Sequence, residues 1–490
     1  MILSRLFRPM FCCRWLPFSL FLLHSSATVC AAAPASYPAD SQIRLPAIGV
    51  EQPSGVVRQK ERALGRQLLG HLYAQNVTSD DPLLVDYCEH LVHKLAEFSE
   101  LPDRQLSVVV LKDWRLNAFA APGGVIGLHA GLFLHAAKEG ELAGVIAHEL
   151  AHLSQQHYAR SVEEARRLRL PTVAAVIGSI ALSVTGLPLL GLASLSTALA
   201  SSQSDALAFS RQNEREADRI GSLTMARAGL DPRSMVDLFE RLHQLDSSGP
   251  QYEFLYSHPT SRSRINDIRQ RAEQYPTSLR RDRTLYHIVR NRVILRHARS
   301  PEEARARFAS EVSSLRTPSQ EASRYALALS LFELNRIDEA AKEIAVVVKK
   351  SPQTLPYQVL SNRIEFAAGH SDSALKKMQN LLDRNPGNLQ VVMVLANLLR
   401  QAKQFGAATT LLKKLSRQRS DDPAVWYELA ETAGLGKEPL TVHTARAEFF
   451  VLVGNAPQAL RQLQYVLELP GISFIQKSRI SQRMEEIRRG

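Results

Sequence analysis

Apolar positions along this chain change their period several times, and each change predicts a different element. Gly140-Glu141-Leu142-Ala143-Gly144-Val145-Ile146-Ala147 carries apolar residues at helical spacing and runs straight into His148-Glu149-Leu150-Ala151-His152. That predicts a buried helix bearing the pentapeptide. Upstream, Asn117-Ala118-Phe119-Ala120 reads as a short strand, and Pro122-Gly123-Gly124 as a turn leading into Val125-Ile126-Gly127-Leu128-His129. From about residue 300 onward the pattern is uninterruptedly helical.

Within that helical stretch a longer period emerges. Ala340, Ala374 and Ala408 recur at a spacing of 34 residues, Pro352 and Pro386 repeat the offset, and Ala459 with Pro470 indicates a fourth unit. Thirty-four residues is the tetratricopeptide period, in which small residues let paired helices approach. Stacked pairs then form a curved surface for another protein. A generic helical bundle is the alternative. The N-terminus has a third texture: Arg5, Arg8 and Arg14 precede the apolar run Trp15 to Leu23, and small residues follow through Ala35. This reads as a secretory signal peptide over 1–35, with Pro34 directing the cut past Ala33. Cys30 invites lipidation, but Ala27-Thr28-Val29 before it is a poor lipobox.

The chemistry lies in the pentapeptide. A helix brings residues i and i+4 to one face, so His148 and His152 aim two imidazoles at one point with Glu149 beside them. Zinc suits such donors, and Glu149, not itself a ligand, would take the proton of a water activated for peptide hydrolysis. A pattern with three fixed positions also arises by accident. Yet two histidines and a glutamate on an apolar helix are costly to bury without a partner, and a metal suits all three. The third ligand is not the metzincin histidine, because Gln155 and Tyr158 stand where that pattern requires Gly and His. His157, five residues past His152, is turned away from the ligand face. Glu214 in Asn213-Glu214-Arg215-Glu216-Ala217-Asp218-Arg219-Ile220-Gly221 is the candidate, with Asp218 one turn on to orient a ligand histidine. The plain alternative is an exposed helix with Glu and Arg in local pairs.

Between these two motifs, 170–204 contains no charged residue. One membrane crossing takes about 20 residues and would put His148 and Glu214 on opposite sides of a bilayer, while two crossings need about 40 plus a turn. A short helical hairpin or a cover over the cleft, touching a membrane surface at most, is the expectation. The strand Asn117, Ala118, Phe119, Ala120 before the active helix suits an exposed sheet edge that takes an extended polypeptide by backbone pairing, an ordinary buried strand being the alternative.

Charge and cysteine change the picture only slightly. Of the net +12, three charges leave with the leader, and much of the rest lies in Arg280, Arg281, Arg283, Arg290, Arg292, Arg296 and Arg299. No nucleic-acid partner is expected, because the chain is exported and no stacking aromatics separate these arginines. Anionic lipid or lipopolysaccharide headgroups would suit such a run, against the plain reading of a solvated helix face. Cys88 is alone once the leader is removed, so no intramolecular disulfide forms and packed cores must supply stability.

HELAH and EREAD together, with the strand and turn between Asn117 and His129, resemble the HtpX-type gluzincin peptidases. The similarity is greatest to their BepA-like periplasmic branch, which joins such a domain to C-terminal tetratricopeptide repeats, and it covers nearly the whole mature chain. It implies one zinc ion held by His148, His152 and Glu214 with Glu149 as base. In Ser257-His258-Pro259-Thr260-Ser261-Arg262-Ser263-Arg264-Ile265 it implies that His258 can occupy the open zinc position and hold the enzyme latent. Arg264 would steady the site or polarise the substrate. The expected fold is mainly α with a small β-sheet: a gluzincin-type metalloprotease domain over 45–275, a basic linker over 276–305, and an α-solenoid of tetratricopeptide repeats over 306–490. The expected function is a periplasmic zinc endopeptidase, free or at the outer membrane, that degrades unfolded or stalled envelope proteins while its repeats dock the β-barrel assembly machinery. A chaperone-like assembly factor with a largely latent peptidase, or a dedicated processing peptidase, are the alternatives.

Overall fold

The computed structural model describes residues 55–167, 203–244, 253–277, 283–314 and 317–489. The leader, Cys30, and the uncharged segment up to its last two residues lie outside them. Ser54–Gly490 forms one compact unit, mainly helical with a single three-stranded sheet. Among the described residues no helix is long and apolar enough to cross a membrane.

The sheet has the order β1-β3-β2, from β1 (Ser107–Leu111), β2 (Ala118–Ala121) and β3 (Val125–His129). The central strand β3 is buried throughout, pairing in parallel with β1 and antiparallel with β2, with Ala118 opposite Leu128 and Ala121 opposite Val125. The turn between β2 and β3 needs glycine at Gly123, whose φ is +79° and whose added Cβ would lie 2.7 Å from the Glu61 carbonyl oxygen. β1 was not singled out above, although Val108-Val109-Val110 is a β-branched run that favours a strand. Its outer edge meets Thr78 in an isolated bridge to Leu111, whereas β2 forms the other edge and packs on the HELAH helix.

That motif helix, Glu139–Ser154, is buried from Glu139 to Ala151. Below it passes a second helix, Gln203–Arg227, and small residues set their separation. Ala151 and Ala217 share an apolar contact with Ile220, and a Cβ on Gly221 would come within 3.1 Å of the His148 backbone nitrogen. Any larger side chain there would lift one helix off the other. The helix Pro82–Glu97 braces the opposite side, started by Pro82 and by the Asp81 carboxylate, which accepts from the Leu83 and Leu84 amides at 3.1 and 3.4 Å. Cys88 on this helix is fully buried, and burial pushes its thiol far above the usual range.

The stretch 276–305, expected as a basic linker, differs from that expectation. It contains the helix Thr284–His297, whose Tyr286, Ile288, Val289, Val293 and Ile294 sit in the main core. One continuous apolar cluster runs from Leu83 through this helix to Ile364, so among the described residues the two halves share a core. Several of the arginines are turned inward. Arg283 donates to both Glu139 oxygens at 2.7 and 2.9 Å, Arg290 to the Ala136 carbonyl at 3.0 Å, and Arg292 to Asp81 at 2.7 Å and to the Tyr325 hydroxyl at 2.9 Å.

Helix pairs fill the C-terminal part, and Ala340, Ala374, Ala408 and Ala459 are all fully buried. The turn inside successive pairs carries a left-handed residue at Asn335, Gly369, Lys403 and Lys437, again 34 apart. The next such residue, Gly454, comes only 17 later. The helix Pro439–Leu452 is thus flanked by the same turn at both ends, closing one pair and opening the next. The repeats also bear on the protease: Arg419 grips Glu89 through two bonds of 2.8 and 2.6 Å, and Val85 packs on Leu389, Val392, Leu415 and Val425. Part of the surface expected to dock partners is therefore occupied by the helix Pro82–Glu97.

Candidate metal centre

The buried crossing of the two helices brings the HELAH and EREAD motifs face to face. His148 and His152, one turn apart, present Nε2 atoms 3.0 Å from each other. Glu214 answers with Oε2 at 3.3 Å from His148 Nε2 and Oε1 at 3.4 Å from His152 Nε2. His258 completes the set: its Nδ1 lies 3.3 Å from His148 Nε2 and 3.0 Å from Glu214 Oε1. A tetrahedral ion with bonds near 2.0–2.1 Å requires donors about 3.3 Å apart. Four donor atoms at these separations, from three imidazoles and a carboxylate, fit a zinc-like ion.

Electrostatics agree with the geometry. Burial alone would push His148 down, but its contacts with Asp218 and Glu214 win and raise it to about 10. Burial brings His152 down to about 4 despite its contact with Glu214. For Glu214 burial opposes ionisation, yet His258, His148 and His152 hold its carboxyl well below the usual range. These carboxylates call for positive charge where the imidazoles converge, and a cation bound there displaces the His148 proton.

Around the donors stands a second set of contacts. His148 Nδ1 is 3.0 Å from Asp218 Oδ1. Arg264, 5% exposed, donates from Nε to Asp218 at 2.7 Å and lies with Nη1 3.0 Å from Glu214 and 2.7 Å from the Pro259 carbonyl. Both carboxylates enclose it. Phe239 and Phe254 flank the His148 ring, each with centroids 6.3 Å away.

Glu149 is buried beside the donors, its Oε1 without a hydrogen-bond partner and 3.5 Å from His258 Nε2. The His258 ring thus stands between the donor set and the carboxylate. The edge strand is close to this assembly: the Phe254 amide, one turn before His258, donates to the Leu116 carbonyl at 3.0 Å. Asn117 and Ala118 are buried, while Phe119 and Ala120 are half-exposed on the edge strand β2. Sequence reasoning passed over Glu216, and set His157 aside; neither belongs to the donor cluster. His157 nevertheless touches His152 from behind, a contact that no spacing rule reveals because it depends on the turn after Ser154.

Fold and site together define a class: a metallopeptidase with a helical-repeat array. Residues 82–272 match the model of Peptidase family M48, and residues 365–431 match a Tetratricopeptide repeat. A Beta-barrel assembly-enhancing protease of Yersinia pestis is 30% identical over 92% of this chain and 92% of its own length. Its Escherichia coli K12 counterpart is 28% identical over 95% of each. The Mitochondrial metalloendopeptidase OMA1 of Schizosaccharomyces pombe is 31% identical over 37% of this chain and 51% of its own. The chain belongs to the family of beta-barrel assembly-enhancing proteases, its catalytic part to Peptidase family M48.

Proposed function

We propose that this chain is a zinc endopeptidase of the bacterial envelope that acts in outer-membrane protein assembly, cutting clients that fail to progress. The observation that carries the reading is the convergence of His148, His152 and Glu214 donor atoms within tetrahedral spacing, beside the buried Glu149, whose Oε1 accepts no hydrogen bond. Zinc held by those three residues would supply a Lewis acid and an acidified water. Glu149 then receives the proton of the attacking water and delivers it to the departing amine nitrogen. Asp218 holds His148 in its ligand orientation, and Arg264 pairs with both Asp218 and Glu214. The outer edge of β2 would take an extended client along Asn117, Ala118, Phe119 and Ala120 through the backbone groups not already paired with β3, the Asn117 carbonyl being held by the His129 amide; such backbone pairing would tolerate many sequences.

His258 serves as a gate in this reading. What supports it is the placement of one ring nitrogen against the donors and the other toward Glu149, so that a single side chain covers both the ion and the base. This arrangement also favours a second reading, an assembly factor whose peptidase is mostly silent and whose repeats, facing the assembly machinery, do the main work.

Glu149→Gln tests the two readings. It removes the proton acceptor and leaves the donors intact, so zinc content should stay at one per chain while cleavage of an unfolded outer-membrane barrel protein falls by at least ~100-fold. A variant that cuts as fast as wild type refutes the mechanism. One that cannot cut yet fully replaces wild type in cells under envelope stress decides for the second reading.

A further inference from the structure

His157 is turned away from the donors, but it is not idle. After Ser154 the chain passes through Gln156 with φ +54°, a left-handed step that swings the next helix, His157–Arg167, back against the HELAH helix. His157 Nδ1 thereby comes to 2.8 Å from His152 Nδ1, the nitrogen that does not face the donor set. Its other nitrogen, Nε2, lies 3.1 Å from Glu216 Oε2, and Arg160 donates to the same oxygen at 2.8 Å. His157 is 4% exposed.

Two ring nitrogens at that distance bond only if one carries a proton and the other a lone pair. The Glu216 carboxylate can only accept, so it draws the His157 proton to Nε2 and leaves a lone pair at Nδ1. His152 must then carry its proton on Nδ1, which frees Nε2. That is the atom 3.0 Å from His148 Nε2 and 3.4 Å from Glu214 Oε1. The geometry points to His157 and Glu216 as positioning residues: a His152, His157, Glu216 chain selects the tautomer and ring orientation in which His152 binds the metal. It matches what Asp218 does for His148, with one difference. An imidazole rather than a carboxylate touches His152, so the negative charge stays one ring further from a centre that already holds Glu214, Asp218 and Glu149.

This inference rests on the zinc reading above, and one experiment separates them. The purified full chain is titrated with zinc against a chromophoric chelator as wild type, His157→Leu, His157→Gln and Glu216→Ala, and each metal-free form is melted in EDTA. His157→Leu and Glu216→Ala should lose about 10–100-fold in zinc affinity with the metal-free melting temperature unchanged. His157→Gln should recover most of the affinity, because its carbonyl can accept from His152 while its amide donates to Glu216. Glu216, with its side chain 26% exposed, decides the matter where His157→Leu does not fold. Wild-type affinity in Glu216→Ala overturns the relay, as does a loss in His157→Leu that His157→Gln fails to restore. A wild type that binds no zinc overturns the zinc reading instead.

Discussion

Replacing Arg264 by Met should destabilise the metal-free protein by about 3–5 kcal/mol, the cost of breaking a buried ion pair from one side. Met keeps most of the stem's bulk, so the loss is electrostatic. Left behind are Asp218 and Glu214, whose side chains are 5% and 7% exposed, and the Pro259 carbonyl, which loses its 2.7 Å donor. The orphaned carbonyl accounts for about 1 kcal/mol of that loss. With roughly 2–4 °C per kcal/mol for 150–250 residues, and about half that for a unit twice as long, melting in EDTA should drop by about 3–10 °C.

Acidity supplies a second signature. Burial pushes Asp218 up, but His148 and Arg264 outweigh it and hold the carboxyl below its ordinary value; Glu214 is held low as well. Carboxylates depressed in the folded state contribute stability that is present above the unfolded value and lost as pH falls through the folded one. Without Arg264 the depression shrinks, so the gap between variant and wild type should be fully present near pH ~7 and narrow as pH falls below ~4. Saturating zinc should also narrow it, by giving Glu214 a cation. Arg264→Lys should restore only part, since one ammonium cannot reach Asp218, Glu214 and Pro259 together. A melting change in EDTA below about 3 °C, or a gap that widens with falling pH, would refute the reasoning.

Arg292→Met at the junction of protease and repeats should cost about 3 kcal/mol by stranding buried Asp81, and Asp81→Asn should cost less because an amide still caps the helix Pro82–Glu97; thermal melts compare them. Ala374→Leu should overpack a fully buried helix contact and lose about 1–3 kcal/mol in denaturant titration, whereas the exposed Lys376→Leu stays within about 0.5 kcal/mol. His258→Ala should raise peptidase activity while zinc remains bound; unchanged activity together with unchanged zinc affinity would remove the gate from the mechanism.

What the sequence made legible was local. His148, Glu149 and His152 declare themselves through one turn of helix, Glu214 and Asp218 through another, and the buried alanines through a fixed period. What it concealed lies in contacts between distant segments. The arginines near residue 290 looked like a solvated or lipid-facing run, yet Arg283, Arg290 and Arg292 reach partners 144, 154 and 211 residues earlier. Nothing in a basic stretch announces which side chains will meet a buried carboxylate. The phase break between Lys437 and Gly454 was hidden similarly: alanine at 459 kept its meaning, but a helix shared between two pairs halves the spacing, and only the fold reveals the sharing.

Charge explains why these residue types, and not merely this geometry, meet at the crossing. Glu149, Glu214 and Asp218 bring three carboxylates into a buried space, and Arg264 returns one positive charge. Without a cation the raised His148 supplies further positive charge, and a divalent cation would take over that role as His148 gives up its proton. The same count constrains every other side chain nearby. A carboxylate behind His152 would overshoot, so an imidazole stands there and passes the burden outward to Glu216, which Arg160 balances. A carboxylate gate would overshoot too. In the proposed gate an imidazole, His258, stands where a carboxylate would add to that negative charge.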